Sequence, residues 1–170
     1  MKRSDINPMP TYFDRYINQV DDIELSEALQ QSLVELDGAP LEHWRAVGTK
    51  AVAPGQWTVN DTLQHLVDTE RVFSYRALAF ARGEQERLTS FDEAAYAASA
   101  AANQRDIANL IGELKAVRQA FIHLFASFTD EMLQRSGQGF KGEYSVLSIG
   151  FTMPGHQRHH FKILAERYGR

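Results

Sequence analysis

Two histidines four residues apart, His156 and His160, lie in the last apolar-periodic stretch of the chain. Side chains at i and i+4 are neighbours on a helix surface, so imidazoles at this spacing can aim their nitrogens at one point. This is a chelating arrangement for a divalent metal ion. On a helical wheel, Ile149, Met153, His156, His160, Ile163 and Arg167 share one narrow face. His159 sits about 60° from His156 and about 100° from His160. It is poorly placed to share their ion and reads as a neighbour of the site or as part of an interface. A third candidate, His65, lies on the flank of an earlier helix beside Thr62, Thr69 and Val72. The main stripe of that helix is Leu63, Leu66, Glu70, Phe73, Ala77 and Phe80. Three protein donors leave at least one coordination position for water or substrate, whereas a closed structural zinc site wants a fourth. The plainer alternative is three separate core histidines, each satisfied by its own hydrogen bond.

Other polar residues read differently. Asp68 is about 60° from His65 and is read as a solvated charge, with support of a ligand as the second reading. Glu70 falls inside the apolar stripe, about 140° from His65. That argues for a buried ion pair with an arginine such as Arg118 or Arg76. His123 lies opposite its helix's apolar face and reads as surface, and His43, beside Trp44, reads as peripheral. Trp57 reads as a core anchor at a helix entrance, with a cleft wall as the other possibility.

These residues sit on elements that the spacing of apolar residues defines. Spacings of three and four recur in long segments, and no strand-like alternation persists, so the class is all-α. Residues 12–36 predict a short helix and then a longer one, ended by Gly38 and Pro40. Thr58 followed by Asp61 is an N-terminal capping pattern for a second long helix, running to about Ala81 before Gly83. An alanine-rich piece follows at residues 91–102. A third long helix covers 103–128, with Ile107, Ile111, Leu114, Phe121, Leu124, Phe125 and Phe128 as its buried stripe. An acidic turn at 129–131 and a glycine-rich loop at 137–142 lead to the last helix, from about Ser145 to Tyr168 and Gly169. Pro154 within it removes a backbone donor, and Gly155 lowers helix propensity. A bend just before His156 is expected. Four long helices fit a four-helix bundle, with the histidines near one end of its core, although spacing alone does not say which helix lies against which.

Composition narrows the chemistry. The chain has 170 residues, 18 basic against 22 acidic, with 44% hydrophobic residues and a mean hydropathy of −0.37. A single domain over 1–170 is expected. There is no run of the roughly 20 apolar residues a membrane-spanning helix needs, and no secretory signal follows the charged start, so a cytoplasmic location and no membrane partner are expected. A net charge of −4 makes nucleic acid a poor partner. The absence of cysteine excludes disulfides, a cysteine nucleophile and thiolate-ligated metal. Metal ligands must then be His, Asp or Glu, and imidazole suits zinc, nickel, copper and iron alike.

The stretch Trp57-Thr58-Val59-Asn60-Asp61-Thr62-Leu63-Gln64-His65-Leu66-Val67-Asp68-Thr69-Glu70-Arg71 resembles the DinB-like superfamily. So does Gly155-His156-Gln157-Arg158-His159-His160-Phe161-Lys162-Ile163-Leu164-Ala165-Glu166-Arg167-Tyr168. The segments from Tyr75 to Gly83, Phe91-Asp92-Glu93 and Val117-Arg118 are similar to its connecting regions. Pro154 departs from the small, helix-compatible residue usual there. The resemblance implies a four-helix bundle, commonly dimeric, holding a divalent metal through His65, His156 and His160. It implies zinc or nickel, or else iron, and a small-molecule substrate. Characterised members include thiol S-transferases using low-molecular-weight thiols and related isomerases. The functional expectation is therefore a metal-dependent hydrolase or thiol S-transferase acting on a small electrophile, with no further catalytic residue singled out. The competing expectation is a non-catalytic metal-binding or dimerisation module with a structural metal.

Overall fold

The computed structural model describes residues 1–139 and 141–169. Its long helices are α2 (Leu25–Asp37), α4 (Val59–Ala81), α6 (Ile107–Ala126) and α8 (Val146–Tyr168). Shorter helices α1 (Asp14–Ile17), α3 (Leu41–Val47), α5 (Glu93–Ser99) and α7 (Asp130–Gln134) connect or cover them. Both α4 and α2 pack against α6 and α8, so the order around the bundle is α2, α6, α4, α8, and α1 lies against α8. Among the described residues no helix is long and apolar enough to cross a membrane.

Local chemistry sets the helix starts. Thr58 Oγ1 accepts the Asp61 N–H at 3.1 Å while the Asp61 carboxylate accepts the Thr58 N–H at 3.0 Å, a reciprocal capping box for α4. Ser145 Oγ accepts the Ser148 N–H at 3.1 Å to start α8. The third long helix starts later than its spacing predicts, at Ile107 instead of Asn103. The Asn60 amide donates to the carbonyls of Ala102, at 3.1 Å, and Arg105, at 2.8 Å, holding that segment out of the helix until Asp106 caps it. The predicted acidic turn continues into α7 because Thr129 caps it, accepting the Met132 N–H.

The helical class holds, with one short sheet added. Strands β1 (Ser136–Gly139) and β2 (Gly142–Ser145) form an antiparallel hairpin, with Gly137 opposite Tyr144, where the sequence predicts a glycine-rich loop. Phe140, in that predicted loop, lies outside the described residues. A Cβ on Gly137 would fall 2.2 Å from the Phe80 ring, so the strand lies flush on an aromatic face that only glycine admits. Glycine in place of alternating apolar residues is why the strand left no period-two signal.

The apolar core is in two parts. One contains Leu25, Leu29, Phe73, Phe80, Phe121, Phe125, Ile149 and Phe151. The other contains Leu36, Leu63, Leu66, Ile111, Leu114 and Leu164. On each long helix a buried polar residue falls between the two parts: Ser32 on α2, Glu70 on α4, Arg118 on α6, Gln157 on α8. These polar groups bond to one another: Arg118 to Glu70 and to Ser32 Oγ, and Gln157 Nε2 to the Ser32 carbonyl at 2.9 Å. A polar belt thus crosses the bundle at mid-height, each member bonded to a neighbour, with the buried side-chain oxygen of Gln157 left without a partner among the described residues.

Candidate metal centre

The three sequence-selected histidines meet in this belt. His65 comes from α4, and His156 and His160 from α8, the helix neighbouring it. His65 and His156 are buried, at 5% and 6% exposure, and His160 is partly exposed. His156 Nε2 lies 3.2 Å from His65 Nε2 and 3.0 Å from His160 Nε2. One donor nitrogen from each ring falls within 4.8 Å of the others. The three rings are therefore neighbours and do not lie in separate parts of the core. The expectation of a site near one end of the core is corrected: apolar residues continue on α8 both before His156 and after it, at Leu164, so the cluster sits where the two core parts meet.

The donor set fits a metal ion. Two nitrogens held by one ion at about 2.1 Å each stand roughly 3.0 to 3.4 Å apart at coordination angles of about 90 to 110°. The two short separations fall in that range. Imidazole lone pairs this close repel unless a proton or cation lies between them. Burial pushes the His65 pKa down to about 4. Burial, with the neighbouring His65 and His159 adding to it, pushes His160 down to about 3. His156 is held well below its usual value, by burial first and then by the adjacent histidines. All three are neutral at pH 7, with lone pairs available to a cation. Thr69, one turn after His65, places Oγ1 3.3 Å from His65 Nδ1. When Oγ1 accepts the Nδ1 proton, the tautomer is the one whose bare Nε2 faces the cluster.

Two recesses reach the cluster. On the His160 side, Trp57, Gln56, Thr62, Ile163 and Arg167 line a solvent-open cleft. Trp57 is only partly buried and rests against His65 with ring centroids 4.7 Å apart, so it is a cleft wall, not the core anchor its position suggested. On the His156 side lies a narrow pocket of about 20 Å³, room for about one water molecule, walled by Tyr12, Phe13, Tyr16, Phe73 and Phe91. Tyr16 meets His156 edge-on, with centroids 5.0 Å apart. That contact needs Gly155: a Cβ there would stand 2.0 Å from the Tyr16 carbonyl oxygen. The sequence treats Gly155 as a helix-weakening residue; its role is to let α1 lie on α8. The helix itself runs unbroken through Pro154.

The sequence matches the DinB superfamily over residues 15–164. The chain belongs to that superfamily. A solved structure is also similar: YfiT from Bacillus subtilis, described as a probable metal-dependent hydrolase with an unusual four-helix bundle topology. The two share 18% identity and superpose with a TM-score of 0.68, covering 95% of this chain and 90% of that one. At that identity the likeness shows the fold. No curated protein matches the sequence.

In this DinB protein the other candidates fall away from the cluster. Glu70 pairs with Arg118, one of the two arginines anticipated. Asp68 accepts a hydrogen bond from Gln64 at 2.9 Å and is half-buried, neither freely solvated nor among the clustered donors. His159 flanks His160 and Tyr16, with ring centroids 5.3 and 5.1 Å away. His43 contacts the Tyr168 carbonyl at 3.0 Å, and His123 is exposed. Sequence reasoning missed Tyr16 and Arg76 as pocket residues. A signal existed for Arg76: Thr69, Phe73 and Arg76 continue the helical face that His65 begins.

Proposed function

We propose that this chain is a metal-dependent enzyme in which His65, His156 and His160 hold one divalent cation for attack on a small electrophile. The nucleophile is water or an external low-molecular-weight thiol, and the likeness to YfiT, a probable metal-dependent hydrolase, favours hydrolysis. The observation that carries the reading is the convergence of three neutral imidazole nitrogens with a recess on either side. Among the described residues no fourth His, Asp or Glu joins them. Three donors leave positions for exchange.

A bound zinc, nickel or iron ion would supply Lewis-acid activation of the nucleophile. The chain's own part is positioning. Thr69 holds the His65 ring, the polar belt fixes the helices at the level of the site, and Trp57 shields one face of His65 from water. Aromatic side chains on the His156 side present a mostly apolar surface to a substrate. We further propose that the chain acts as one domain and as a homodimer. Arg158 does not support the assembly, since it is engaged within the chain by Glu35, at 2.7 Å, and by the Gln19 carbonyl, at 2.9 Å.

The test is elemental analysis of purified protein, followed by ester and thiol-transfer assays on metal-loaded and chelated samples. About one ion per chain and turnover that follows the metal are expected. Protein that takes up no zinc, nickel or iron at micromolar concentration would sink the proposal.

A further inference from the structure

We infer that the pocket on the His156 side selects substrates bearing a carboxylate, which pairs with Arg76; this rests on the reading of the histidine cluster as a catalytic metal centre. Arg76 is 2% exposed yet forms no ion pair with a carboxylate among the described residues. One guanidinium nitrogen, Nη2, donates to the Thr89 carbonyl at 3.0 Å, and the guanidinium lies 4.8 Å from the centre of the Phe73 ring. The phenol of Tyr144 is near enough for Arg76 to oppose, without cancelling, the upward push of burial on its pKa. None of these neighbours neutralises the charge. Glu93, at the pocket mouth, and Glu84 and Glu86, in the outer cleft, are exposed and outside ion-pair distance.

An arginine in this state is costly in a folded protein, and the other fully buried arginine, Arg118, has its carboxylate. The difference between the two is that Arg76 lines a pocket that His156 also lines. Thr69, Phe73 and Arg76 run down one face of α4 from His65, three turns and roughly 16 Å of axial rise. A molecule lying along that face puts an anionic end at Arg76 and a reactive group by the histidines. One uncompensated guanidinium balances a monoanion, and its planar fork matches a carboxylate. The aromatic side chains between the two ends leave room for about one water and must part to admit an apolar body. The ligand class is therefore a small carboxylic acid with an aromatic or aliphatic middle.

The probes are benzoate and its neutral isostere benzamide, titrated by calorimetry into wild-type protein with and without chelator. Benzoate is expected to bind at least about tenfold more tightly in both states. In Arg76→Met the two should bind within about twofold of each other, and Arg76→Lys should keep part of the preference. Equal binding of the two by wild type overturns the inference. So does a preference that survives in Arg76→Met, or one that disappears on chelation, since the metal would then be taking the carboxylate. If Arg76→Met does not fold, the chelated wild-type comparison still decides. Metal-dependent turnover without a benzoate preference would remove the anion pocket and leave the proposed function. A benzoate preference without turnover would do the opposite.

Discussion

Arg118 grips Glu70 with two hydrogen bonds, Nε to Oε1 at 2.6 Å and Nη2 to Oε2 at 2.9 Å, and neither side chain is more than 2% exposed. The remaining arm of the guanidinium reaches Ser32 on α2. One residue of α6 therefore ties α4 and α2 at the level of the histidines. Removing one partner of such a pair leaves a buried charge uncompensated. Glu70→Ala is expected to cost about 3–5 kcal/mol by urea denaturation. The double change Glu70→Leu, Arg118→Met should recover much of that loss, and a fully additive double variant would contradict the assignment.

His160→Ala should weaken metal binding by more than about 100-fold, beyond what loss of a supporting residue typically costs, and should abolish turnover. Helical content should stay nearly unchanged, because both core parts are built without His160. Circular dichroism of wild type and variant, each with and without chelator, checks this. Unfolding of the wild type on chelation would make the ion structural.

Thr69→Val removes the acceptor for His65 Nδ1 while keeping shape. Metal affinity should fall about 10–100-fold, as read by competition with a chromophoric chelator, and Thr69→Ser should restore most of it. Equal affinity in Thr69→Val would show that the hydroxyl does not orient the ring.

The folded pKa values of His65, about 4, and His160, about 3, lie below the ordinary histidine value of 6.5. Below that value the unfolded chain binds protons that the folded chain refuses. Stability of the chelated protein should be full above about pH 6.5 and decline as pH falls toward 4 and then 3. Each ring contributes a slope of up to about 1.4 kcal/mol per pH unit. Urea midpoints measured from pH 7.5 to 4.5 should fall less steeply in His160→Ala than in wild type.

Gly155→Ala raises helix propensity yet places a methyl group 2.0 Å from the Tyr16 carbonyl oxygen. Overpacking should win, with a loss of about 1–3 kcal/mol. Thermal denaturation decides, and a stabilised variant would show that α1 yields freely.

The histidine pair was readable because helical spacing alone fixes the relation of His156 to His160. His65 needed the bundle, since nothing local says that α4 and α8 are neighbours. Glu70 announced a buried partner by lying in an apolar stripe, but Arg118 and Arg76 were equal candidates until the packing separated them. The hairpin was hidden because its glycines, Gly137 against Phe80 and Gly139 against Tyr144, carry no pattern of their own. The pocket was hidden for a related reason: much of its wall comes from residues 12–16, a turn leading into a helix of four residues, too short to show a period.

That origin of the wall has a design consequence. The cluster's nitrogens belong to α4 and α8, whereas Tyr12, Phe13 and Tyr16 belong to a segment that enters from outside the four long helices. Cation affinity and part of the ligand choice are thus written in separate stretches of sequence, although Phe73 and Arg76 share α4 with His65. Replacing Tyr12 or Phe13 while keeping Tyr16, which rests on His156, and Gly155 would retune which molecules are admitted without disturbing what the histidines hold. The same bundle can in this way serve as an interchangeable chassis for different acceptors.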